Sequence, residues 1–231
     1  MFEQFSAQPR SFVNSPDAPL RAAKRRFGRK YAARYKRVFD LVLAVILLPI
    51  LTPVVALLYL VVRVDGGPGF FGHSRVGRNG KSFKCWKVRT MVTDAQERLE
   101  SLLENDPVAR AEWERDRKLT NDPRITKLGD FLRKTSLDEL PQIFNVLRGE
   151  MSLVGPRPVT ESELDMYGAR KVGYLKMRPG ITGLWQVSGR NDVSYDERVE
   201  LDWNYSLKAT LAMDVSILFK TVNAVTGRTG R

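Results

Sequence analysis

Residues 41–62 read LVLAVILLPILTPVVALLYLVV, and none of these twenty-two residues carries a charge. At about 1.5 Å per residue, a straight helix over this stretch covers roughly 33 Å, about the hydrocarbon thickness of a bilayer. A helix in a soluble core is usually shorter and keeps a polar face, so the stretch reads as membrane-embedded. Two features argue against a simple span. Pro49 and Pro53 fall in mid-segment, where each removes a backbone donor and bends a helix. Both flanks are also basic. Residues 1–39 hold ten Lys/Arg against Glu3 and Asp17, and residues 63–90 hold seven against Asp65. Positive residues mark the cytoplasmic side of a membrane. A segment with both ends positive is frustrated as a span and satisfied as a bent hairpin that enters and leaves by one face. The expectation is a re-entrant, monotopic anchor over residues 41–63.

The formal net charge is +12, of which residues 1–39 supply +8. Such an uneven distribution does not fit a uniformly basic nucleic-acid binder, and the basic run carries no recognised nucleic-acid module. A basic patch beside an apolar segment reads instead as contact with anionic lipid headgroups. Cys85 is the lone cysteine and His73 the lone histidine, so neither an internal disulfide nor a Cys/His zinc site can form. Any metal is then a hard ion held by carboxylates and phosphates, which points to Mg²⁺. The apolar stretch begins too far along and runs too long for a cleavable signal peptide.

Residues 1–20 mix Ser, Pro, Gln and Asn with few large apolar side chains, and disorder is expected. Residues 21–40 are basic, with Phe27, Tyr31, Tyr35 and Phe39 at intervals of four, the stripe of an interfacial helix on anionic lipid. Asp40 can cap the apolar segment. Residues 64–227 read as one domain, α+β, with many short helices and a small β-hairpin or sheet. Strands are expected at Phe70–Val76 and Ser82–Val88, joined by a turn ending in Asn79-Gly80. Thr93-Asp-Ala-Gln96 reads as a capping box before a helix to about Asn105, with a charged helix near residues 108–119. Asn121-Asp-Pro123 is a turn, and residues 125–132 return to apolar alternation or a short helix. Another helix is expected from about Leu137 to Gly149, with Pro141 near its first turn. Residues 151–154 are strand-like, and residues 176–190 form a Gly-rich loop with a short strand. Thr160 and Ser194-Tyr-Asp-Glu197 head further helices, and Asp214 can cap a last one to Val225.

Chemistry concentrates at Asp138-Glu139, adjacent carboxylates five residues after Arg133 and just after Lys134. At a helix N-terminus beside cations, a carboxylate is favoured in its ionised form and its pKa falls. An ionised Asp can attack phosphorus to give an acyl phosphate, while its neighbour holds Mg²⁺ against a pyrophosphate. The competing reading is structural: Ser136-Leu-Asp-Glu139 is also a capping box. Gly155-Pro-Arg157-Pro158 presents one guanidinium on a stiff turn, suited to a phosphate or simply exposed. Arg178-Pro-Gly-Ile-Thr-Gly, with Gln186, Gly189 and Arg190, offers amides and cations to a nucleotide diphosphate. Lys87 and Arg89 follow the hairpin and can add positive charge.

Taken together, these residues resemble the monotopic bacterial polyprenyl-phosphate phosphoglycosyl transferases, also called bacterial sugar transferases. The matching pieces run in the family's order from Lys36 to Asn191. They are Lys36-Arg-Val-Phe-Asp40; the apolar segment with Thr52-Pro53; Gly67-Pro68 through Arg75-Val-Gly77; Phe83 to Lys87-Val-Arg-Thr-Met91; Leu132-Arg-Lys-Thr-Ser-Leu-Asp-Glu-Leu-Pro-Gln142; Asn145 through Gly155-Pro-Arg-Pro158; and Arg178 to Asn191. The resemblance implies transfer of a sugar 1-phosphate from a UDP-sugar to undecaprenyl phosphate at the cytoplasmic face of the bacterial inner membrane, with release of UMP. It implies Asp138 as nucleophile, Glu139 as Mg²⁺ ligand, Arg133 near the polyprenyl phosphate, and a two-step course through an aspartyl phosphosugar. Thr52-Pro53 occupies the place of the family's helix-breaking pair, where many members have Ser-Pro. Lys87, Arg89, Arg157, Arg178, Gln186 and Arg190 are the candidate substrate-binding residues. The layout, including Gly72-His-Ser-Arg-Val-Gly77 and Lys118 to Arg124, looks most like the short galactosyl-phosphate transferases that begin exopolysaccharide synthesis. It favours UDP-galactose, then UDP-glucose. Expected partners are the UDP-sugar, undecaprenyl phosphate and membrane lipids, with no nucleic acid; a homo-oligomer is allowed. The rival from another class is a non-catalytic, basic, membrane-anchored adaptor.

Overall fold

The computed structural model describes residues 35–116, 119–189 and 193–226. The expected basic helix over residues 21–40 therefore lies mostly outside the described residues, as do residues 1–20 and Arg190. Helix α1, Lys36–Val62, runs unbroken through Pro49 and Pro53. Each proline removes one i→i−4 bond without ending the element. Thr52 and Pro53 are exposed near its middle. Among the described residues, α1 is the one helix long and apolar enough to cross a membrane. One face is buried on the body at Lys36, Asp40, Ala44, Val55 and Val62. The other presents Val42, Val45, Ile46, Ile50, Leu57 and Leu60, each 55–64% exposed.

Both ends of α1 are tied to the same body. At its start Lys36 Nζ donates to Asp214 Oδ2 at 2.6 Å, and Arg37 donates to the carbonyls of Val146 and Leu147 at 2.7 and 3.1 Å. Asp40 does not cap the helix. It sits inside it, buried, accepting from Ser152 Oγ at 3.0 Å and the Leu153 amide at 3.1 Å. At the far end, Arg89 donates to the Val62 carbonyl at 2.9 Å and to Asp65, while Val62 packs with Val88 and Leu132.

Strands β1, Phe70–Val76, and β2, Ser82–Val88, form the expected antiparallel hairpin, with Phe70 opposite Val88 and Val76 opposite Ser82. Its turn holds Asn79 and Gly80 at φ +60° and +75°, the left-handed conformations that an Asn-Gly pair supplies cheaply. Helix α2, Ala95–Asn105, follows, but the Thr93 capping box does not form. Asp94 takes the cap position without a capping bond and pairs with Arg98 instead. Helix α3, Pro107–Asp116, begins one residue before the expected span, and α4 is Lys127–Lys134. The helix expected from Leu137 is split: a 3₁₀ turn, Leu137–Glu139, precedes α5, Gln142–Arg148, which has Pro141 at its N-cap and Gly149 at φ +82° after it.

Strand β3, Ser152–Val154, pairs in parallel with β4, Gly180–Thr182. A Cβ at Gly155 would meet the Arg178 carbonyl oxygen at 2.5 Å, so this crossing requires a bare backbone. Between the two strands lie α6, Glu161–Asp165, and α7, Lys171–Leu175. Helix α8, Tyr195–Lys208, follows β4. The capping boxes at Thr160 and Ser194 both form. The last helix, α9, spans Leu211–Thr226. Asp214 falls inside it rather than capping it, fully buried and shared between Lys36 and the Tyr205 hydroxyl. The main core gathers Ala44 of α1, Phe83 and Cys85 of β2, Ile143 and Val146 of α5, and Tyr205 and Ile217 of the last helices.

Candidate active site

Strand β2 alternates its side chains, and Lys87 shares the inward face with Phe83 and Cys85. An ammonium group on that face must find a carboxylate. It finds two: Lys87 Nζ lies 2.6 Å from Glu139 Oε1 and 3.5 Å from Asp138 Oδ2. The carboxylates reach it from the 3₁₀ turn, which is entered through Ser136 in the left-handed conformation at φ +56°. A serine there is uncommon and slightly strained, a cost that functional sites often carry. The same conformation leaves Ser136 without a side-chain capping bond, and Glu139 is committed to Lys87. The capping-box reading of Ser136–Glu139 therefore fails.

Asp138 is 5% exposed. Burial pushes its pKa up, opposed by Lys87, so the expected lowering at a helix N-terminus is reversed. Burial also acts on Glu139, but the charge and hydrogen bond of Lys87, with the charges of Arg157 and Arg75, together outweigh it and hold that carboxyl below its ordinary range. Burial works against the charge on Lys87, and the two carboxylates more than restore it, raising its pKa. The result is a desolvated, basic oxygen on Asp138 beside a firmly ionised Glu139.

Arg133 is part of this cluster. Its charge acts on Asp138, and its Nε donates to Thr90 Oγ1 at 2.9 Å, which fixes the guanidinium. Arg157 lies close enough for its charge to act on Lys87 and Glu139. Its guanidinium sits 5.7 Å from the centre of the Trp185 ring, whose surroundings also include Arg198 at 4.8 Å. The other candidates go elsewhere. Arg89 is buried, with donors taken by Asp65 and the carbonyls of Val62, Pro68 and Met91, and it ties the end of α1 to the hairpin. Arg178 donates to the Gly149 carbonyl at 2.7 Å, at the far end of α5. Gln186 donates to the Ile181 carbonyl at 3.3 Å, beside β4.

Two positioning residues escape a reading of the sequence alone. Asn145, fully buried on α5, receives the Trp86 amide at 3.1 Å and donates to the Lys84 carbonyl at 2.8 Å, acting as a strand partner for β2. It thereby sets the height of Lys87 against the turn. Thr90 orients Arg133. An Asn inside an apolar helix segment was the signal for the first; nothing local marks the second.

The donor set is a pair of adjacent carboxylates, and among the described residues no cluster of three or more His, Cys, Asp or Glu could hold a metal. Mg²⁺ commonly binds one or two carboxylates and completes its shell with substrate phosphates and water, so this pair suits it.

Residues 31–228 match the family described as bacterial sugar transferase. The chain belongs to the bacterial sugar transferase family. Within that family, it is 60% identical to an undecaprenyl-phosphate galactose phosphotransferase of Salmonella typhimurium over 177 residues, covering 77% of this chain and 37% of that protein. It is 55% identical to the exopolysaccharide production protein ExoY of Rhizobium meliloti over 169 residues, 73% of this chain and 75% of that one. It is 40% identical to the UDP-glucose:undecaprenyl-phosphate glucose-1-phosphate transferase of Escherichia coli over 178 residues, 73% and 35% of the two chains. The chain thus spans well under half the length of the Salmonella and E. coli proteins.

Proposed function

We propose that this protein transfers a sugar 1-phosphate from a UDP-sugar to undecaprenyl phosphate, the first membrane step of an exopolysaccharide. The observation that carries the reading is the buried Asp138 beside Glu139 with Lys87 between them, in a chain of this family. In the first step an Asp138 oxygen forms a bond to the sugar-bearing phosphorus. The bond from that phosphorus to the bridging oxygen breaks, and UMP leaves with the electron pair. In the second step an undecaprenyl phosphate oxygen attacks the same phosphorus, and the Asp138 carboxylate departs. Burial makes the Asp138 oxygen more basic and a better nucleophile, and the charges of Lys87 and Arg133 oppose that rise. Arg133 receives the polyprenyl phosphate, and Arg157 and Arg190 serve the nucleotide phosphates. Glu139 would hold Mg²⁺ when the metal binds, and the metal would supply charge neutralisation for the pyrophosphate and the leaving UMP. The apolar outer face of α1, docked at both ends, supports a re-entrant anchor that keeps the site at headgroup depth on the cytoplasmic face of the inner membrane. Relatives named for galactose favour UDP-galactose over UDP-glucose as donor.

A radiolabelled UDP-sugar panel with membranes carrying wild type or Asp138→Asn tests this. UDP-galactose should give lipid-linked product and UMP. The variant should stay in the membrane and lose at least about a thousandfold in rate. Undiminished turnover by Asp138→Asn would remove Asp138 as the nucleophile, and membrane function with no UMP release from any UDP-sugar would favour the adaptor.

A further inference from the structure

At the start of α1 the structure gathers a second group of cations. Lys36 and Arg37 from α1, Arg78 from the hairpin turn, and Lys176 and Arg178 from the loop before β4 line one open-sided cavity of about 30 Å³, with Asp40 in its wall. Against these five stand Asp40, already accepting from Ser152 and Leu153, and Asp214, bonded to Lys36. Among the residues that line the cavity, five are cations and one is a carboxylate.

This cavity is not the site described above. Helix α5 links the two, with the Asp138–Glu139 turn before its N-terminus and the cavity cations at its C-terminal end. The hairpin separates them as well: Arg78 lies in its turn, while Lys87 stands six residues beyond Lys81, about 20 Å at the usual strand rise. Capping explains part of the cluster. Arg37 and Arg178 donate to the carbonyls of Val146, Leu147 and Gly149, the negative end of α5. Arg78 and Lys176, both exposed, are brought to the same cavity from the hairpin turn and from the loop before β4. Burial, with the like charges of Arg37 and Arg78, depresses the Arg178 pKa more than Asp40 restores it.

Guanidinium and ammonium groups converging from three segments suit a tetrahedral oxyanion. The cavity also adjoins the place where the apolar outer face of α1 begins, at Val38 and Val42. We propose that this cavity binds one phosphate group, at a second anion site separate from Asp138 and Glu139. The phosphate belongs either to the headgroup of an anionic phospholipid or to a soluble phosphate.

Thermal unfolding of the full chain in dodecyl maltoside micelles tests this, with dihexanoyl-phosphatidylglycerol, inorganic phosphate or sodium chloride at matched ionic strength. The midpoint should rise with a phosphate-bearing probe and not with chloride. Arg78→Gln combined with Lys176→Gln, both exposed positions, should weaken the apparent affinity at least tenfold, and Arg133→Gln should leave it within twofold. A rise with phosphatidylglycerol alone supports the site with a lipid headgroup as its ligand, and a rise with inorganic phosphate as well supports it with a soluble source. No rise with either probe overturns the proposal. So does an equal response in the double variant, or loss of the response in Arg133→Gln, which would put the anion at the reacting carboxylates.

Discussion

Lys87 carries the electrostatics of the site, because it touches both carboxylates and Asp138 is otherwise buried. Lys87→Met keeps the length and the apolar stem but removes the charge, so transfer should fall by about a hundredfold or more in a UMP-release assay. A second buried carboxyl makes a prediction of a different kind. Asp202 accepts the Tyr167 hydroxyl at 2.8 Å, and burial pushes its pKa from 3.8 up to about 7. The folded state therefore holds this proton more tightly than the unfolded chain. Its contribution to stability is fully present below the unfolded pKa and is lost as pH rises through about 7. Asp202→Asn keeps an acceptor for Tyr167 and has no charge to bury. Between pH 5 and 8, thermal melts in detergent should shift in favour of the variant by about 3 kcal/mol. Asp138-Glu139 and Arg133 stood out in the sequence by their types and spacing. Lys87 was legible only as a candidate substrate-binding cation; its pairing with both carboxylates was not, because it lies about fifty positions earlier and the register of β2 brings it across. For the same reason Arg89 and Arg178, equally basic in the sequence, turned out to hold backbone carbonyls.

At the scale of elements, the hairpin was legible to the residue because alternation and an Asn-Gly turn are local signals. The segment after Ser136 was not. A 3₁₀ turn followed by a short helix has nearly the residue pattern of one continuous helix; Leu140 and Pro141 stand between the two, and the left-handed Ser136 precedes the turn. Asp40 and Asp214 misled in the same way: each looks like a cap, and each is a buried tie between α1 and the body. Those ties give α1 its test. With both ends docked, a re-entrant anchor exposes both to one compartment. On a Cys85→Ser background, cysteines placed at Tyr35 and Val64, both exposed, should react with a membrane-impermeant maleimide from the same side. Labelling from opposite sides would make α1 a span.

For the whole molecule, the parts fit one arrangement. An apolar helix lies against a small α+β body, its outer face apolar and its ends basic, and the body holds a buried Asp138 and a half-buried Glu139 facing a lysine. A lipid-borne phosphate stays at the depth of the headgroups, so chemistry on it needs a nucleophile held there. The basic flanks raise the local concentration of anionic substrate. The most direct measurement is mass spectrometry of the membrane-extracted protein, acid-quenched after mixing with UDP-galactose in the absence of undecaprenyl phosphate. A phosphohexose adduct is expected on the peptide containing Asp138, absent from Asp138→Asn and discharged by adding undecaprenyl phosphate. An adduct on any other residue, or transfer to the lipid with no adduct formed, would contradict it.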